Sequence, residues 1–166
     1  MNMDKLWAPW RIEYIRNDMQ NEDIKCFFCE YQKQKEKDKE NLVLYRGKKN
    51  IVLMNYYPYN NGHLLVAPYI HTGKLSDLDP ETKLEMMELV DHSCRIMKVK
   101  MNAEGFNAGL NIGAVAGAGI DDHLHMHVVP RWKGDTNFMP VLGHTKVISE
   151  DLTETWEYLK KEFDKI

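Results

Sequence analysis

The sequence predicts an α+β domain built on a mainly antiparallel sheet, and three observations carry that reading. Short β-type runs with short, turn-rich links open the chain, one long stretch places apolar residues at helical spacing, and further β-type runs follow it. Links of hairpin length join antiparallel neighbours, whereas parallel strands need crossovers of about a dozen residues or more. At 166 residues, with 43% hydrophobic and 28% charged residues, the chain fits a single domain with its own core. Within that domain, residues 1–40 read as an N-terminal arm and 149–166 as a C-terminal helix. No internal repeat or linker divides the chain.

Taken in order, Trp7-Ala8-Pro9-Trp10-Arg11-Ile12 is aromatic and β-branched, with a proline that suits an edge or an arm. Cys26-Phe27-Phe28-Cys29 follows, and residues 31–40 form a mixed-sign charge run without apolar periodicity, read as a solvated loop or helix end. Residues 42–46 and 51–55 flank Arg46-Gly47-Lys48-Lys49-Asn50 as a hairpin, and 63–68 read as a buried strand stopped by Pro68. Asp79 and Pro80 make an N-cap and first-turn pair for the long helix. Its core face is read from Leu84, Met87, Val90, Cys94, Met97 and Met101, with Cys94 taken as a buried, inert thiol. Strands at 108–112 and 124–129 enclose a glycine-rich loop at 114–122. An extended piece at 141–148 and a helix capped by Ser149, with Leu152, Trp156, Leu159 and Phe163 inward, complete the chain.

Charge and composition exclude several function classes. A formal charge of −3 and a pI near 6.2 give no basic face for general nucleic-acid binding. No run of about 18 apolar residues is present to span a bilayer, and residues 1–20 lack the apolar core of a signal peptide. Three cysteines, two of them in a Cys-x-x-Cys spacing that suits a metal, do not form a secreted disulfide framework. The reading is a cytoplasmic protein with neither nucleic acid nor membrane as partner and no organic cofactor.

The chemistry concentrates in His123-Leu124-His125-Met126-His127. On an extended strand the three histidines share one face, with Leu124, Met126 and Val128 on the other. Three imidazoles on one face are costly to bury without partners. Two readings stay open from the residues alone: metal ligands, or covalent catalysis by an imidazole nitrogen. The preceding Asn111-Ile112-Gly113-Ala114-Val115-Ala116-Gly117-Ala118-Gly119 segment lets backbone N–H groups approach a polyanion closely, as phosphoryl or nucleotidyl transfer requires.

These residues resemble the histidine triad (HIT) superfamily. His123-Leu124-His125-Met126-His127-Val128-Val129 is similar to its motif of histidines alternating with apolar residues. Asn55, with Gly62-His63-Leu64-Leu65-Val66-Ala67-Pro68, is similar to its upstream strand. Trp7-Ala8-Pro9-Trp10, Tyr57-Pro58-Tyr59-Asn60 and Pro130-Arg131-Trp132 with Gly134-Asp135-Thr136-Asn137-Phe138 resemble the bacterial diadenosine tetraphosphate phosphorylase branch, near Fhit-type hydrolases. The resemblance implies a sheet of about five strands with one long helix and a C-terminal helix.

It further implies cleavage of dinucleoside polyphosphates through an adenylyl-histidine, with phosphate as acceptor. Alternatives are a dinucleoside polyphosphate or nucleoside phosphoramidate hydrolase using water, a uridylyl transferase, or a nucleotide-binding module without catalysis. Carried over by position, His125 is the nucleophile, His127 serves the leaving phosphate, and His63 supports them. Asn55, Asn111, Gly117, Gly119 and His127 contact substrate. Gly119 and Ile120 stand where many relatives carry Gln followed by Ser or Thr, so backbone N–H groups take over there. Asp121 and Asp122 read as turn residues, unhelpful beside a polyanion. Zinc-bearing relatives and galactose-1-phosphate uridylyltransferases imply a structural zinc on Cys26, Cys29, His71 and His123. The family also implies a homodimer.

Overall fold

A computed structural model describes residues 26–136 and 151–166. Five strands form its sheet: β1 (Val43–Arg46), β2 (Asn50–Met54), β3 (Leu64–Pro68), β4 (Gly105–Leu110) and β5 (Met126–Arg131). Their order is β1-β2-β3-β5-β4, and each neighbouring pair is antiparallel. The helices are α1 (Phe27–Tyr31), α2 (Pro80–Lys100) and α3 (Leu152–Phe163). The α+β class and the five-stranded sheet are as the sequence indicates. No helix among the described residues is long and apolar enough to cross a membrane.

Strand alternation divides the interior. Leu44, Val52, Met54, Leu64, Val66, Leu124 and Val128 face α2 and α3, where Leu89, Val90, Met97, Leu159 and Phe163 complete the main core. Val43, Ile51, Leu53, Leu65 and Ala67 point to the opposite face and are covered by Phe28 from α1. Burying one large apolar side chain contributes about 1.5–3 kcal/mol, so the fully buried Phe28 is an apolar anchor of the Cys-x-x-Cys segment on the sheet, beside the Arg46 guanidinium, which donates to the Tyr31 and Gln32 carbonyls.

Several boundaries differ from the sequence reading, each for a local reason. Asp79 caps α2 as expected, accepting from Thr82 N at 2.8 Å, and that bond together with Lys49 draws its carboxyl down to about 2. The core face of α2, however, is Thr82, Met86, Leu89, Val90, Ser93 and Met97, whereas Leu84 and Met87 are exposed. Residues 86, 90, 93 and 97 form one stripe at helical spacing, and 84 and 87 belong to a neighbouring stripe that faces away from the sheet. Cys94 is half-buried, with its thiol pushed up by burial. The strand expected at 108–112 runs instead from Gly105 to Leu110, because Gly105 to Leu110 pair residue by residue with Arg131 to Met126.

The histidine strand likewise starts later than expected, at Met126, because Leu124 N donates to Thr72 O at 2.7 Å, outside the ladder. It continues through Pro130, which lies beyond the overlap with β3, and the Pro130 carbonyl accepts from Asn60 Nδ2. Asp151, not Ser149, caps α3, accepting from the N–H groups of Thr153 and Glu154. Ser149 itself, the Trp7 to Trp10 arm, the 141–148 piece and Asn137-Phe138 lie outside the described residues.

Candidate active site and metal centre

Apolar burial orients the histidine run. Leu124 and Val128 are in the main core and Met126 packs against it, so alternation turns His123, His125 and His127 to the opposite face. Only His127 belongs to the paired strand, opposite Leu65 on β3 and Gly109 on β4. His123 and His125 precede the ladder, and this frees each ring to find a backbone partner.

His123 is fully buried, with Nε2 2.8 Å from the Pro68 carbonyl. That acceptor requires the proton on Nε2 and leaves the Nδ1 lone pair free. Nδ1 faces Cys26 Sγ at 3.1 Å, His71 Nδ1 at 3.2 Å and Cys29 Sγ at 3.6 Å, and His71 Nδ1 lies 3.4 Å from Cys29 Sγ. All four ligand atoms lie within 4.8 Å of one another. Tetrahedral bonds of about 2.0–2.3 Å separate neighbouring ligand atoms by about 3.3–3.8 Å, close to these contacts. Burial, with Cys29 alongside, pushes the Cys26 thiol up to about 12. The chain alone therefore favours the thiol, and a divalent cation supplies the charge that a thiolate needs. Two thiolates and two imidazoles close such a site and leave no open position. The expected set Cys26, Cys29, His71 and His123 is thus brought together as a possible metal site.

His125 uses the opposite nitrogen. Its Nδ1–H donates to the His123 carbonyl at 2.8 Å, so the lone pair sits on Nε2. Only 6% of the residue is exposed, and burial holds its pKa below the ordinary histidine value, against the opposing pull of that hydrogen bond. A neutral imidazole with a free Nε2 is the form a nucleophile needs. The Phe28 ring lies beside both His123 and His125, with centroids 4.9 and 5.2 Å away.

His127 is held by His63. His63 is fully buried, and its Nδ1 accepts from Tyr59 N at 3.0 Å, with Asn55 Nδ2 at 3.3 Å. A backbone N–H is always a donor, so the His63 proton resides on Nε2 and is donated to His127 Nδ1 at 2.9 Å. His127 then carries its own proton on Nε2. Tyr59 stacks on His127 with centroids 5.6 Å apart, and His125 meets His127 edge-on at 5.0 Å. Asn55 Oδ1 accepts from Tyr57 N, so a ribose contact by Asn55 has to be shared with these partners.

Between β4 and β5 the chain makes a short 3-10 turn, Ala114–Ala116, bounded by Gly113 and Gly117 at φ of 84° and 87°. Positive φ at both ends favours glycine, which adopts it without a Cβ penalty. Asn111 Nδ2 lies 3.5 Å from the Gly117 carbonyl and 3.4 Å from His127 Nε2, which brings Asn111 and Gly117 to the triad. Gly119 is further along the same loop and exposed. Sequence reasoning gave no role to Phe28 or to the Tyr59 amide. It also set aside Asp122, whose carboxylate stands 3.2 Å from His71 Nε2.

Comparisons with known proteins bear on the family and the fold. The profile of the HIT domain matches residues 36–134. A Mycobacterium tuberculosis protein named AP-4-A phosphorylase is 38% identical over 165 residues, covering 97% of this chain and 85% of its own length. A Schizosaccharomyces pombe bis(5'-nucleosyl)-tetraphosphatase is 31% identical over 93 residues, 56% of this chain and 50% of its own length. Among solved structures, a Zn-bound histidine triad family protein from Mycobacterium smegmatis superposes with a TM-score of 0.68 at 26% identity, covering 86% of this chain and 95% of the other. The chain belongs to the HIT domain family.

Proposed function

We propose that this chain is a dinucleoside polyphosphate phosphorylase, with diadenosine tetraphosphate as substrate and inorganic phosphate as acceptor. The observation that carries the reading is the ring geometry of His125: Nδ1 is tied to the His123 carbonyl, and Nε2 is left unprotonated in a buried setting. In the first step Nε2 attacks the α-phosphorus, the bond from that phosphorus to the bridging oxygen breaks, and ATP leaves. His127 Nε2–H, set by the donation from His63 to the other ring nitrogen, donates a hydrogen bond to the leaving oxygen and offsets the charge that develops there, so ATP leaves as its anion and His127 keeps its proton. Phosphate then attacks the adenylyl-histidine, releasing ADP and restoring His125. Asn111 Nδ2 and His127 Nε2 are two donors 3.4 Å apart, and a phosphate oxygen set to one side of the pair, at hydrogen-bond distance from each, accepts from both. Gly117 and Gly119 belong to the same loop as substrate contacts in this reading, although the Gly117 N–H is itself held by the Ala114 carbonyl at 3.0 Å, and Asn55 completes the set.

The name of the M. tuberculosis relative and its match over nearly the whole chain support phosphate over water as acceptor. Diadenosine tetraphosphate supplied with and without phosphate tests this. ADP plus ATP, formed only with phosphate, is expected; AMP plus ATP without phosphate assigns the water-using hydrolase instead.

In the same reading the ion on Cys26, Cys29, His71 and His123 is zinc. It supplies cross-linking of α1 to the histidine run and no open coordination position. The Zn-bound relative and the donor set support it, and elemental analysis of protein purified without chelator checks it. Unpaired Cys26, Cys29 and Cys94 suit a reducing cytoplasm. The homodimer is supported by β4, a sheet edge whose Asn107, Ala108 and Gly109 are exposed, and sedimentation analysis tests it.

A further inference from the structure

His71 lies just past the end of β3, in Pro68-Tyr69-Ile70-His71, and Asp122 closes the glycine loop one residue before His123. Two backbone contacts press these segments together. Leu124 N donates to Thr72 O at 2.7 Å, and Gly73 approaches so closely that a Cβ there would stand 2.4 Å from the Asp121 carbonyl. Within this seam the two ring nitrogens of His71 face different ways. Nδ1 lies against Cys29 Sγ and His123 Nδ1, and Nε2, on the other side of the ring, lies within ion-pair distance of Asp122 Oδ2 at 3.2 Å.

A surface ion pair at this exposure, 45% for His71 and 66% for Asp122, contributes little by itself. The arrangement of the ring says more than the pair does. A carboxylate only accepts, so it favours the proton on Nε2 and leaves the Nδ1 lone pair directed into the cysteine cluster. His123 reaches the same state by donating Nε2–H to the Pro68 carbonyl. The two imidazoles of the cluster are thus matched, one oriented by a buried carbonyl and the other by an exposed carboxylate. Carboxylate partners of this kind fix the orientation of a metal-binding imidazole ring.

We propose that Asp122 is the positioning residue for His71 at the metal centre, and that this contact fastens the closing end of the glycine loop to the ion. Metal binding then orders residues 113–122, the segment that approaches the substrate phosphates. Coupling of this sort is reciprocal, so a ligand that orders the loop tightens the metal. The inference rests on the zinc reading given above.

Zinc affinity, measured by competition with a chromophoric chelator, tests the first half. Asp122→Ala is expected to bind zinc about 10- to 100-fold more weakly than the unsubstituted chain, and Asp122→Glu is expected to recover part of the loss. Asp121→Ala, which leaves the Asp121 carbonyl in place, serves as control and keeps the parental affinity. Amide hydrogen exchange tests the second half: at saturating zinc, residues 113–122 exchange faster in Asp122→Ala than in the parent. Melting of the metal-free Asp122→Ala and parent proteins is expected to coincide, which separates positioning from a folding defect. Parental zinc affinity in Asp122→Ala, or parental loop protection at saturating zinc, overturns the inference while the zinc reading stands. A parent protein that binds no zinc removes both.

Discussion

His123 and His125 are two residues apart, share one face and are both nearly buried, yet their rings are wired in opposite senses. His123 gives its Nε2 proton to the Pro68 carbonyl and turns Nδ1 towards two cysteines and a histidine. His125 gives its Nδ1 proton to the His123 carbonyl and keeps Nε2 for the open side of the site. Residue type and burial are therefore insufficient to define the job of a histidine; the position of the nearest carbonyl decides which nitrogen is available. The same main-chain unit serves both, since the carbonyl that orients His125 belongs to the residue that faces the cysteines.

Substitution of each ring separates the two halves. His125→Asn is expected to lower turnover by about 10⁴-fold or more while zinc content stays at the parental level. Residual turnover near the parental rate would end the assignment of His125 as nucleophile. His123→Asn removes a metal ligand but retains the backbone carbonyl. Elemental analysis should then find the ion lost, and turnover should fall by about 10- to 100-fold, less than for His125→Asn. Equal losses in the two variants would mean that the side chain of His123 also takes part in the chemistry.

A third substitution tests the wiring of His127. His63→Gln breaks the donation to His127 Nδ1 and is expected to reduce kcat by about 10- to 100-fold with KM and zinc content little changed. The smallest effect concerns pH. Burial holds His125 below its ordinary value, so the acid limb of kcat/KM that reports it is expected below about pH 6.5. For stability the sign follows from proton counts. Below about pH 6.5 the unfolded chain binds more protons at this position than the native chain, so the native state loses stability as pH falls. The drop in Tm between about pH 7.5 and 5.5 should accordingly be a degree or two smaller in His125→Asn than in the parent.

What the sequence reveals of this arrangement depends on whether partners are local. Alternation of His123, His125 and His127 with Leu124 and Met126 reveals the shared face, because period two is a property of the strand itself. The start of pairing at Met126 was hidden, since Leu124 N is claimed by Thr72 from a distant segment. Leu84 and Met87 illustrate a second limit. Their spacing is helical, but which of two adjacent stripes on α2 packs inward depends on the sheet and α3. The spacing of Cys26 and Cys29 suits a metal by itself, but His71 and His123 lie far from that pair in sequence and join it only through the resemblance to zinc-bearing relatives. Asp122 reads as a turn residue and stands in a turn, but its nearness to His71 exists only in three dimensions. The His63 to His127 contact likewise depends on the register that sets Leu64 opposite Val128.

The protons of His63, His123 and His125 are all placed by main-chain atoms: the Tyr59 amide, the Pro68 carbonyl and the His123 carbonyl. No side-chain substitution at 59, 68 or 123 short of introducing or removing an imino acid erases these instructions. The protonation pattern is thus inherited with the backbone rather than with the identities of neighbouring residues. Sequence drift around the cluster can alter affinity and specificity while the direction of proton donation persists, and an engineer who wishes to reverse that direction has to redraw the chain path, not the side chains.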